Sequence, residues 1–295
     1  MQQNGSLYYI ASDNFSECKR AIAFDLDWTL TFGLKHLIPR LPDDIYLLPG
    51  RAEKLNMLTE KGWGFVIFTN QKVKGSLQER LQRMENGFNL IPGSKAMFIA
   101  TKDDDFRKPN VGMFEAFREL YPNCKVYTYV GDAAGRPQDF SDSDLSFAKN
   151  AKLKFLTPES VFKTPMPSIP IEGKHIVLLM GMPGSGKSKF YTDFLEPKGY
   201  VHINQDTLKT FIKVLGATEQ ALEEGKLVCV DNTNPKVETR NEYYTLAKTY
   251  GYTVHVWYLV RDGHGWNKLR EHPVPDIAYH TYFKKLEITD DVEFI

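Results

Sequence analysis

Asp25 and Asp27, in the stretch "AFDLDWTL", stand two positions apart at the end of an apolar run. Carboxylates paired so closely can divide the hydrolysis of a phosphate ester, one attacking phosphorus and the other moving the proton. Alone, the motif is a weak signal. Further along, Thr69 and Asn70 close the run "VIFTNQ", Arg107 and Lys108 precede a proline in "FRKP", and Asp132 ends a run in "YVGDAAGRP". A nucleophilic carboxylate, an acid/base carboxylate, a hydroxyl, a lysine and a metal-binding carboxylate equip a site for hydrolysis through an aspartyl-phosphate. Each residue also has a plainer reading: Thr69 as a strand terminus, Lys108 as a surface residue at a helix start, Asp132 as a turn acid. Their order at successive strand ends favours one shared site, because open α/β sheets carry their sites at the carboxyl edge. Trp28 is bulky beside Asp27, where a tight loop prefers a small residue, and with the downstream segments it reads as a tolerated variation within that loop.

The second chemical signal is "GMPGSGKS", Gly181 to Ser188. It matches G-x-x-x-x-G-K-[ST] directly after an apolar strand and before a helical stretch. Gly181, Gly184 and Gly186, with Ser185 in the same loop, let backbone N–H groups wrap the phosphates of ATP. Lys187 would reach the β- and γ-phosphates, and Ser188 would hold Mg²⁺. Asp206, in "YVHINQDTL", falls just past the next strand, where it could cap a helix or take a proton from an acceptor hydroxyl. "KLVCVDNTNP" ends a third strand with Asp231 and Asn232; Asp231 holds a Walker-B-like position, either near Mg²⁺ or bonding the loops. Lys268 and Arg270, in "GHGWNKLREHP", suit a lid that brings cations onto the leaving phosphates, or simply a solvated basic face.

Positioning these residues requires alternating strands and helices. "RAIAFDL", "GFVIFTN", "KAMFIA" and "VYTYVGD" read as buried strands, separated by helical stretches such as "SLQERLQRMENG". "TPESVFKTPMPSIPIEGKH", with Pro158, Pro165, Pro167 and Pro170, reads as a short helix and a stiff linker, after which a second α/β series begins. The expected organisation is α/β in two domains, residues 1–163 and 175–295, joined by a Pro-rich linker over 164–174. At 295 residues the chain has room for both. Before Pro170 there are 22 Lys/Arg against 20 Asp/Glu, and after it 15 against 17, so neither half presents a large basic face. No apolar run is long enough to span a bilayer, and no signal peptide is evident, so a soluble intracellular protein without membrane attachment is expected. Cys18, Cys124 and Cys229 form no CxxC pair, which argues against a disulfide framework or zinc knuckle.

Together "FDLDWTL", "IFTNQ", "FRKPNVGM" and "VGDAAGRP" resemble the phosphatase domain of the haloacid dehalogenase superfamily. More narrowly they resemble the polynucleotide kinase 3′-phosphatases, and "GMPGSGKS", "GYVHINQDTL" and "VDNTNP" resemble that family's kinase domain in the same order. The resemblance implies a haloacid dehalogenase-like Rossmannoid parallel sheet followed by a P-loop kinase domain. It implies that Asp25 attacks a 3′-phosphate and that Asp27 protonates the leaving oxygen and then activates water. Mg²⁺ would be held by the Asp25 carboxylate, the Asp27 main-chain carbonyl and Asp132, while Thr69 and Lys108 grip the phosphate. Arg107 and Asp144 fall on family-like positions, and Asp206 becomes the base for a 5′-hydroxyl.

The implied function is nucleic-acid end healing in DNA strand-break repair. ATP and Mg²⁺ would be the cofactors, and ends bearing 3′-phosphate or 5′-hydroxyl the partners, DNA favoured. A monomer is expected, in the nucleus if the host is eukaryotic. The alternatives are a single retained activity, RNA end repair, or a broken-end sensor without turnover. Two departures from the family pattern bear on substrate grip: Gln205 replaces the arginine that usually precedes the base, and the stretch after "FTNQ" differs. The family's forkhead-associated domain is not seen, so docking on phosphorylated scaffolds is not expected.

Overall fold

A computed structural model describes residues 1–35, 41–72 and 75–295, and part of the divergent stretch after "FTNQ" (Val73 and Lys74) lies outside them. The described chain divides into two units, Met1–Thr164 and Pro165–Ile295. In the first lie β1 (Gln2–Asn4), β2 (Leu7–Ala11), β3 (Arg20–Phe24), β4 (Thr31–Phe32), β5 (Tyr46–Leu47), β6 (Gly64–Asn70), β7 (Lys95–Ala100), β8 (Lys125–Val130) and β9 (Lys154–Leu156). β4 and β5 pair as a small ribbon; the others form one sheet in the order β1-β2-β7-β6-β3-β8-β9.

From β7 to β9 this sheet is parallel, as the apolar runs predict. β2 adds antiparallel to β7, and β1 antiparallel to β2. Alternation along each strand feeds two cores. Val66 and Phe68 of β6 join Ala21, Ala23, Phe98 and Phe117 on one face, while Phe65 and Ile67 join Phe24, Met97 and Val130 on the other. Burial on both faces is why these strands read as continuous apolar runs.

The helix Leu77–Leu90 packs over the site described below. Ser76 caps it, accepting the Glu79 N–H at 3.2 Å in an S-x-x-E arrangement. Its buried stripe is Arg80, Arg83, Met84, Gly87 and Phe88, a helical spacing with two arginines in it.

In the second unit, β10 (His175–Met180), β11 (Val201–Asn204), β12 (Val228–Asp231), β13 (Thr253–Tyr258) and β14 (Val292–Phe294) form an all-parallel sheet in the order β11-β12-β10-β13-β14. The Pro-rich segment beyond Thr164 belongs to this unit, and the Tyr200 hydroxyl donates to the Pro170 carbonyl at 2.9 Å. Among the described residues, no helix is long and apolar enough to cross a membrane.

Candidate active sites

The carboxyl edge of the first sheet gathers residues from four strand ends. Asp25 follows β3 and is anchored by its N–H, which donates to the Val130 carbonyl at 2.8 Å. Lys108 reaches in from the loop after β7. Its Nζ donates to Asp25 Oδ1 at 2.5 Å, to Asp144 Oδ1 at 2.8 Å and to the Tyr129 hydroxyl at 2.8 Å. Asn70 fixes that loop from the end of β6: its amide accepts the Lys108 N–H at 2.9 Å and donates to the Lys108 carbonyl at 3.0 Å. Asn70 therefore holds the lysine's backbone, a role its place in "IFTNQ" did not reveal.

Asp25, Asp132 and Asp144 each offer an oxygen within 4.8 Å of one another. Burial pushes the Asp25 carboxyl up to about 7 despite Lys108, with Asp144 and Asp27 adding to the rise. Asp132 is raised well above the carboxylate range by burial and by the Asp25 and Asp144 charges. Three acids around one ammonium leave a local deficit of positive charge, and their hard oxygens fit Mg²⁺. Asp144 is already engaged: Oδ1 accepts from Lys108 and Tyr129, and Oδ2 from the Ala133 N–H at 3.1 Å. It serves to hold Lys108. A side chain on Gly131 would collide with that carboxylate.

Asp27 faces a different neighbourhood. Gln71 Nε2 donates to its Oδ2 at 2.6 Å and the buried Arg83 to its Oδ1 at 2.8 Å. Burial favours a proton on Asp27, but Arg83, Gln71 and the charge of Arg80 outweigh it and hold the carboxyl below its usual range. Gln71 also donates to Thr69 Oγ1 at 2.9 Å, linking the hydroxyl to the acid, and Thr29 Oγ1 donates to Asp132 at 3.2 Å. Trp28 adopts φ +60°, and its N–H closes the turn on the Thr31 carbonyl at 2.7 Å. Arg107 pairs its Nε with Asp103 at 3.0 Å.

Arg83, Gln71 and Tyr129 escaped the reading from sequence. For Arg83 a signal existed, since a charged residue lies on the apolar stripe of the helix Leu77–Leu90.

In the second unit the loop Gly181–Ser188 joins β10 to the helix Lys187–Phe190. Gly181, Gly184 and Gly186 take φ of +149°, +78° and +88°, conformations that favour glycine. Lys187 Nζ is folded onto the loop, donating to the Gly181 and Met182 carbonyls at 3.0 Å each, and burial lowers its pKa to about 8. Ser185 is buried within the same loop.

Ser188 Oγ donates to Asp231 Oδ2 at 2.7 Å, and Asn204 and His202 approach the same oxygen at 2.8 and 3.0 Å. Burial alone would raise the Asp231 carboxyl; His202, Ser188, Lys187 and Asn204 together hold it low. Asp231 thus does bond the loops together, and it touches the proposed Mg²⁺ ligand Ser188. Asn232 Nδ2 donates to Gln205 Oε1 at 2.9 Å, tying the third strand end to the segment before Asp206.

Asn204, not Asp206, caps the helix Gln205–Leu208, accepting the Thr207 N–H at 3.0 Å. This removes the capping role from Asp206, which is exposed and close enough for its charge to favour the Lys187 ammonium. Lys268 and Arg270 are also exposed, and Arg270 lies near enough to oppose the Lys187 charge. The segment carrying them begins at Gly263, whose backbone packs closely against the loop. A Cβ on Gly184 would strike the Gly263 carbonyl, and a Cβ on Gly263 would strike that of Pro183. Only the fold makes that pairing visible.

A family model described as polynucleotide kinase 3 phosphatase matches residues 20–162. A bifunctional polynucleotide phosphatase/kinase of Schizosaccharomyces pombe is 32% identical, over 83% of this chain and 68% of its own length. A protein of Acanthamoeba polyphaga mimivirus, named for the same two activities, is 30% identical over 90% of this chain and 80% of its own. Among solved structures, a Mesorhizobium loti protein described as HAD-like gives a TM-score of 0.41 at 17% identity, over 52% of this chain and 78% of that one.

Proposed function

The chain belongs to the family of bifunctional polynucleotide phosphatase/kinases, and from that premise we propose that it heals broken nucleic-acid ends, the first unit removing 3′-phosphate and the second phosphorylating 5′-hydroxyl with ATP. The observation that carries this reading is the Lys108 ammonium bridging Asp25 and Asp144 beside Asp132. DNA strand breaks are the proposed substrate, met by a soluble monomer and, in a eukaryotic host, in the nucleus.

In the first unit Asp25 attacks phosphorus and the bond to the 3′ oxygen breaks, leaving an aspartyl-phosphate. Lys108, steered by Asn70 and Asp144, holds the phosphate oxygens with Thr69. Asp27 delivers a proton to the leaving oxygen. Arg83 keeps Asp27 ionised in the free chain, and an incoming phosphate dianion raises its proton affinity by like-charge repulsion. Asp27 then takes a proton from the water that cleaves the aspartyl-phosphate, releasing inorganic phosphate. The Asp25 carboxylate, the Asp132 carboxylate and the Asp27 carbonyl would hold Mg²⁺, which neutralises charge on the non-bridging phosphate oxygens.

In the second unit the backbone amides of the Gly181–Ser188 loop and Lys187 grip the triphosphate, and Ser188 would hold Mg²⁺. Asp206 accepts the proton of the 5′-hydroxyl as that oxygen attacks the γ-phosphorus, while Lys268 and Arg270 stabilise the leaving phosphates.

A nicked duplex bearing 3′-phosphate and 5′-hydroxyl, given the purified protein with Mg²⁺ and ATP, tests the reading. Both ends should be converted. Asp25→Ala should abolish only phosphate release and Asp206→Ala only phosphorylation. An unchanged nick would overturn the proposal, and matched RNA substrates test the choice of DNA.

A further inference from the structure

Arg261 follows β13 and precedes Gly263 by two residues. Its NH1 lies 3.3 Å from where a Cβ on Gly186 would stand, so the guanidinium rests on the phosphate loop immediately before Lys187. The segment carrying it has little freedom to leave, because Gly263 is locked backbone to backbone with Pro183 and Gly184.

The protein does not neutralise this cation in place. Neighbouring Asp262 is engaged as the cap of the helix Gly263–Asn267, accepting the His264 and Gly265 N–H groups at 3.1 and 3.4 Å. Asp193, whose charge favours the Arg261 guanidinium, is paired with Lys189 at 3.0 Å. Among the described residues Arg261 makes no side-chain hydrogen bond or ion pair of its own. Although the residue as a whole is exposed, packing around its head lowers the guanidinium's proton affinity.

A planar fork of N–H donors suits phosphate oxygens, and here it stands against a glycine-rich loop of the kind whose amides cradle phosphate. We infer that Arg261 is a nucleotide-binding residue of the second unit, its guanidinium hydrogen-bonding the phosphate chain of ATP beside the Gly181–Ser188 loop. The inference rests on the kinase reading of that unit.

Calorimetric titration of the full chain with ATP and with GTP, alongside Arg261→Gln and Arg261→Lys, tests it. Removing charge-assisted hydrogen bonds to phosphate should weaken both nucleotides equally, by roughly 10- to 100-fold in Arg261→Gln. Arg261→Lys should recover part of the loss. In kinase assays KM for ATP should rise while KM for the polynucleotide holds, which a general loss of structure would not produce. An unchanged unfolding transition of the second unit in the absence of nucleotide checks that the part carrying Arg261 is folded. Equal ATP affinity in Arg261→Gln and the unsubstituted chain overturns the inference and leaves the kinase reading standing. A loss for ATP but not GTP overturns the phosphate contact in favour of stacking on adenine. Failure of the unsubstituted chain to bind either nucleotide overturns the kinase reading, and this inference with it.

Discussion

Trp28 shows how a bulky residue can sit inside a tight loop. Its bulk argued against a tight loop, yet the loop is tight and Trp28 holds φ +60° within it. A bulky side chain in that conformation costs about 1–2 kcal/mol relative to its preferred region, and glycine escapes most of that cost. Trp28→Gly should therefore match or exceed the parent in urea denaturation, by up to about 1 kcal/mol. If the indole borders the substrate entrance, KM of the phosphatase should rise in that variant. A fall in stability would instead make Trp28 a core residue. Lys187 yields a prediction in pH. Its lowered pKa of about 8 means the free chain carries that charge below pH 8 and sheds it above. Phosphates restore the ammonium, so ATP binding near pH 9 should take up a proton, and near pH 6 Lys187 should take up almost none. Calorimetry in buffers of different ionisation heat reads this directly. The sign for stability also follows. Between pH 8 and about 10.4 the unfolded lysine holds more proton than the folded one, so this group's contribution to stability rises with pH.

At the scale of elements, strands buried on both faces were legible because β6 and β7 are unbroken apolar runs, "GFVIFTN" and "KAMFIA". β1 and β2 were not, since an edge hairpin in "QQNGSLYYIA" carries too much polar sequence to advertise pairing with β7. The candidate acids Asp25 and Asp132 could be picked out because each lies within two residues of the end of an apolar strand. The supports could not, because Arg83 and Tyr129 acquire meaning only when a helix or a neighbouring strand brings them to Asp27 and Lys108. Arg83→Met tests the helix's part in the site. It removes a hydrogen bond to a charged group and should cost about 2 kcal/mol in denaturant unfolding. Phosphatase kcat should fall by roughly 100-fold as Asp27 loses its orientation, with kinase kinetics unaltered. Gly263→Ala tests whether the segment carrying Lys268 and Arg270 acts as a lid seated on the glycine-rich loop. Its methyl would meet backbone, which cannot yield as a side chain can, so ATP affinity should drop about tenfold or more while phosphatase activity holds. A variant with unchanged ATP affinity would show that the segment can shift without disturbing the loop.

For the whole molecule the decisive fact is that each unit has its own sheet and its own apolar core. Calorimetric unfolding should therefore resolve two transitions. ATP at 100 times its Kd should stabilise the second unit by about 2.7 kcal/mol and leave the other transition in place. A single transition that shifts as a whole would contradict this. The proposed nucleophile, its proposed proton carrier and their supports all fall before Thr164, and the glycine-rich loop, the segment from Gly263 and the proposed base all fall after it. Neither site draws on the other unit for any of these groups. In evolutionary terms, a gene encoding such a chain can lose, duplicate or exchange one half without dismantling the chemistry of the other, and selection can act on each half at its own pace.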